Sequence, residues 1–73
     1  MSKLPRLSSR KLLRILNHSG FKIHHATGSH IHLYHEARPH LRVTVPANEN
    51  VLAPKTLKSI LVQAELTIED LLD

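Results

Sequence analysis

The sequence predicts a small α+β domain of order α-β-β-β-α, a three-stranded antiparallel sheet with both helices on one face. Two observations lead there. Apolar residues recur at helical spacing near both ends of the chain, and at a spacing of two in three short runs between them. Turn-forming residues then fall where the period changes, at Gly20, Thr27-Gly28, Glu36-Ala37-Arg38-Pro39 and Pro46. At 73 residues the chain has room for one domain and one modest core, taken as residues 1–73.

Met1 to Leu7 reads as a polar, flexible leading stretch. Ser8 or Ser9 then caps a helix from about Ser9 to Ser19, whose stripe is Leu12, Leu13, Ile15 and Leu16. Gly20 follows the last periodic residue and takes the left-handed conformation that ends helices. From Phe21 the period becomes two: Phe21 and Ile23 point inward, Lys22 and His24 outward. A second strand, Ser29 to Glu36, sends Ile31 and Leu33 inward and His30, His32 and Tyr34 outward. A third, His40 to Val45, places Leu41, Val43 and Val45 inward, His40, Arg42 and Thr44 outward. Short connections between successive strands make an antiparallel meander the simplest topology. Pro54 suits the first turn of a second helix, in which Leu57, Ile60, Leu61 and Ala64 form a sheet-facing stripe. Within residues 66–73, Thr67 and Asp70 resemble a capping box that starts a short terminal turn.

Ten Lys and Arg stand against six Asp and Glu, a formal charge of +4. Four of the acids lie in the last nine residues, so residues 1–64 hold all ten bases against Glu36 and Glu49 alone, or +8. Such a body suits a polyanionic partner. Cysteine is absent, which excludes disulfides and thiolate-metal sites. No apolar run has the length of a signal peptide or a membrane span, so a cytoplasmic protein without membrane contact is expected.

Seven histidines in so short a chain are unusual. Strand phase gathers several on the uncovered sheet face, where His24, His30, His32 and His40 accompany Lys22, Tyr34 and Arg42. His25 and His35 share the inward phase and are expected to flank the core. His18 stands apart on the first helix. Imidazoles transfer protons near neutrality, cations hold phosphate, and an aromatic ring stacks on a base. RNA cleavage asks little more, because the ribose 2′-hydroxyl is an internal nucleophile beside the phosphorus. Lys22 or Arg42 would stabilise the developing phosphoryl charge. His30 and His32 also share metal-ligand spacing, but no carboxylate is clearly placed to join or support them.

In order along the chain, Gly20-Phe21, Gly28-Ser29-His30, Tyr34, Arg42-Val43-Thr44-Val45-Pro46 and the helix Thr56 to Ala64 with Leu66-Thr67 after it resemble the HicA-type mRNA interferase toxins of toxin–antitoxin systems. The resemblance runs from about Ser8 to Leu72. It implies a fold like a double-stranded-RNA-binding domain and metal-independent endoribonuclease action on mRNA, with no cofactor. It also implies that His30, directly after Gly-Ser, is the catalytic histidine, and that a cognate HicB-type antitoxin covers it. Lys22, His24, Ser29, His32, Tyr34 and Arg42 are the expected RNA contacts. The chain departs from the family at Ile31, where many members carry a second histidine, at Asn48 and at Lys55. The alternative on the same residues is an RNA-binding module that does not cut.

Overall fold

The computed structural model describes residues 4–72. Its elements follow the expected order: helix α1 (Ser9–His18), strands β1 (Phe21–Thr27), β2 (His30–His35) and β3 (Arg42–Pro46), helix α2 (Pro54–Ala64), and a single 3-10 turn, Ile68–Leu71. The strands form an antiparallel sheet in the order β1-β2-β3. No helix among the described residues is long and apolar enough to cross a membrane.

Local chemistry explains the boundaries. Ser8 caps α1 by accepting a hydrogen bond from Lys11 N at 3.1 Å. Gly20 ends it at φ +101°, in the conformation the sequence assigned to it. The β1–β2 hairpin closes through Gly28-Ser29, because Thr27 pairs with His30. Only Gly28 of that turn has positive φ, at +54°, which is the type II′ pattern with glycine first. Pro54 opens α2 as expected. Asp70 Oδ2 accepts from Thr67 N at 2.7 Å and from Thr67 Oγ1 at 3.0 Å, fixing the terminal turn.

Both helices lie on one face of the sheet. Leu12 and Leu16 of α1 and Leu57 and Ile60 of α2 meet Phe21, Leu33, Val43 and Val45 in one core. Ser9 is buried among these leucines, yet its polar groups are satisfied: its N donates to Glu49 O and its Oγ accepts from Glu49 N, both at 2.9 Å. That pair of bonds ties the start of α1 to the loop after β3. Along the outer side of β3, Thr44 N turns away from β2 and donates to Gln63 Oε1 of α2 at 3.1 Å.

Three expectations need correction. Leu7 belongs to the core rather than to a polar, flexible stretch, with Leu4 packed against it and its carbonyl accepting from Leu52 N at 2.7 Å; residues 1–3 lie outside the described residues. His40 sits in the turn before β3, which begins at Arg42, because Leu41 N closes that turn on Arg38 O. Finally, β1 does not keep a strict alternation. Ile23 pairs with Leu33 but His25, not His24, pairs with His32, so His24 is the extra residue of a β-bulge. Beyond the bulge the phase of β1 reverses; before it, Ile23 shares a row with buried Leu33 yet is itself 60% exposed at the edge of the sheet.

Candidate nucleic-acid interface and catalytic site

The pairing registers arrange the open face into three cross-strand rows. Thr27, His30 and Pro46 form the row at the hairpin end. His25, His32 and Thr44 form the middle row, with bulged His24 beside it. Lys22, Tyr34 and Arg42 form the last. Rows two residues apart on β2 are separated by about 7 Å at roughly 3.4 Å per residue. His32 is therefore the next row to His30, whereas Lys22 and Arg42 stand about 14 Å away along the strand. The face brings His24, His32 and Tyr34 onto the side of His30, with Ser29 in the turn beside it, but these two cations are not next to His30.

Each histidine has a distinct setting. His32 is held on both sides, with Nε2 3.0 Å from Thr27 Oγ1 and Nδ1 3.3 Å from Thr44 Oγ1. Either hydroxyl can donate or accept, so both tautomers of the ring are accommodated. His25 stacks on His32, with centroids 4.4 Å apart and planes 12° from parallel. His24 Nδ1 lies 2.7 Å from His25 Nδ1, and its ring meets Tyr34 edge-on at 6.1 Å. His30 is exposed at the hairpin end; its Nδ1 is 3.4 Å from Ser29 Oγ, and its Nε2 has no partner among the described residues. Below it, Ala47 N donates to Ser29 O at 2.7 Å, bracing the turn that presents the ring.

His25 is the residue the sequence reading missed, and the bulge is why. Removing one residue from the alternation carries it from the expected inward phase to the open face. The trace in the sequence is the spacing of apolar positions, Phe21, Ile23 and then Ala26, two residues followed by three. Desolvation, then the charges of His32, His24 and Arg42, hold the His25 imidazole below the ordinary histidine value of 6.5. The ring therefore takes up its charge at a lower pH than an ordinary imidazole does. Followed by NMR, His25 of His32→Ala should titrate closer to 6.5 than in the parent protein; an unchanged midpoint would mean that the stacked ring is not a cause.

His35 turns away from this face. Its ring meets Phe21 edge-on at 5.0 Å; Nε2 donates to Ser19 O at 3.0 Å, and Nδ1 accepts from Ala37 N and Arg38 N, both at 3.1 Å. It flanks the core, as its phase predicted, and ties the end of α1 to the β2–β3 turn. Arg42 Nε donates to Pro39 O at 3.0 Å, which steadies that cation at the far row. Among the described residues no three side chains are arranged as ligands of a metal ion. The rings of His24, His25 and His32 face one another and the two threonines rather than a common point.

A family model described as HicA toxin of bacterial toxin-antitoxin matches residues 9–66, most of the chain and all five principal elements. Comparison with curated proteins gave no match.

Proposed function

Since the chain belongs to the HicA toxin family of bacterial toxin–antitoxin systems, we propose that it is an endoribonuclease that cleaves mRNA in the cytoplasm and so inhibits translation, with His30 as its proton-transfer residue. The observation that carries this reading is the setting of His30. It is the open-face ring presented at a braced hairpin end with Nε2 free to meet substrate, while His32 is engaged on both sides. Exposed histidines are ordinarily solvated surface residues; a ring held out on a supported two-residue turn, next to a second anchored imidazole, is a different arrangement.

The chemistry follows from those positions. His30 either takes the proton of the ribose 2′-hydroxyl or gives one to the departing 5′-oxygen, and water completes the other transfer. The 2′-oxygen attacks the adjacent phosphorus as the P–O5′ bond breaks, giving a 2′,3′-cyclic phosphate and a 5′-hydroxyl. Thr27 in the same row, Ser29 in the turn and His32 in the next row are the polar groups that flank His30 and so the phosphoryl oxygens at that point. Lys22 and Arg42, two rows on from His30, hold a phosphate further along the strand rather than the scissile one. Tyr34 between them, with His24 at its edge, offers a base-stacking surface. A cognate HicB-type antitoxin covers this face and blocks His30.

The test is the identity of the products. Purified protein incubated with end-labelled RNA in excess chelator should yield fragments ending in 2′,3′-cyclic phosphate. Fragments with 3′-hydroxyl ends, or cleavage abolished by the chelator, would exclude the route through the 2′-hydroxyl. Binding without any fragments would leave the non-cutting RNA-binding module as the function.

A further inference from the structure

We propose that the outer face of α1 is a second RNA-binding surface, separate from the sheet face, which holds the backbone phosphates of long transcripts. This inference rests on the reading of the protein as RNA-directed. No acidic residue precedes Glu36, and α1 itself carries Arg10, Lys11, Arg14 and His18 with none. At 100° per residue these four side chains, with Asn17, share about a third of the helix circumference. All five are exposed, while Leu12, Ile15 and Leu16 fill the opposite side.

The cations are also unclaimed. Among the described residues the ion pair is that of Arg38 with Glu65, and it involves no residue of α1. Lys11, Arg14 and His18 line a recess of about 150 Å³ with Ile15, Ser19 and Asp70, enough room for a phosphate group. The Asp70 carboxylate at its margin is held to Thr67, Oδ2 accepting from Thr67 N and Oγ1, and its one negative charge faces two of the helix's three Lys and Arg cations. Arg10, Arg14 and the His18 ring follow one another about 6 Å apart along the helix axis, a step of the same order as that between neighbouring phosphates of one RNA strand. The platform is rigid, since Ser9 fastens the first turn to Glu49 and Leu12 and Leu16 are fully buried.

Because α1 lies on the helix side of the sheet, a strand that reaches both surfaces must pass around the edge of the domain. A short oligonucleotide occupies the His30 face alone; a long one engages both. The experiment compares His30→Ala, which leaves RNA uncut, with the same protein carrying R10Q, K11Q and R14Q. For an RNA of several tens of nucleotides, the added substitutions should weaken binding by roughly ten- to a hundredfold near 0.1 M salt and reduce the slope of log K against log salt by about 2, the release expected for three single-strand phosphate contacts. In the protein with His30 intact, cleavage of a short oligonucleotide should stay at the parent rate. Unaltered melting shows that the exposed substitutions leave the fold in place.

Long-RNA affinity and salt slope equal to the parent's would overturn the proposal, as would loss of antitoxin binding with RNA binding unchanged, which would make α1 a protein interface. Failure of the RNA reading looks different: the parent protein itself neither binds nor cuts RNA of any length.

Discussion

Replacing His30 with Ala is expected to lower the rate of RNA cleavage by between about 10² and 10⁴, the usual contribution of a positioned proton-transfer group, and to abolish growth arrest on expression. The side chain is exposed and makes one long contact, to Ser29 Oγ at 3.4 Å, so the fold should not notice its loss. RNA affinity should likewise be largely kept, because the cations of the face are elsewhere. Single-turnover cleavage and binding measured on the same preparation separate the two effects. His32→Ala serves as the contrast: a ring held by Thr27 and Thr44 positions its neighbours, and its loss should cost both binding and rate. If His30→Ala cuts as fast as the parent, His30 is not the catalyst.

Gly20→Ala should be the most damaging single-methyl change in the described structure. A Cβ there would sit 2.7 Å from His35 Nε2, at a backbone φ of +101° that L side chains rarely adopt. The imidazole cannot simply swing aside, because Ser19 O, Ala37 N and Arg38 N all hold it. Backbone strain and overpacking together are expected to cost about 2–4 kcal/mol, a fall in melting temperature of roughly 10–25 °C for a domain of this size. Gly28→Ala meets nothing within 4 Å and should cost only the left-handed backbone, about 1–2 kcal/mol. The double variant Gly20→Ala with His35→Ala removes the steric part, so it should be less unstable than the sum of its singles. Equal melting of Gly20→Ala and the parent would refute the packing account.

The helices, the meander and the exposure of His30 were legible because each depends on a pattern within one segment. The stripes at Leu12, Ile15, Leu16 and at Leu57, Ile60, Leu61, Ala64 need no tertiary information. The bulge at His24 was not legible in that way: it alters pairing with β2 while leaving the composition of β1 unremarkable, so His25 was assigned to the wrong side. Leu4 and Leu7 were hidden by the polar residues around them, since only the loop at Leu52 tells that they have something to cover. The distance from His30 to Lys22 and Arg42 required two registers: the Gly28-Ser29 turn with the bulge at His24 sets that of β1 on β2, and the connection over residues 36–41 sets that of β3. A list of outward-facing residues says which groups share a face, not which share a row.

The bond from Thr44 to Gln63 also bears on how the sheet ends. An unpaired margin of backbone N–H and C=O groups invites strands from other molecules to add on. On the β3 side, Thr44 N is occupied by the Gln63 amide and Pro46 has no N–H to offer. On the β1 side, the irregularity at His24 interrupts the straight template that an incoming strand would need. A protein with an uncovered sheet face thus resists edge-to-edge aggregation at both margins, and Gln63→Leu is the substitution that would reopen one of them.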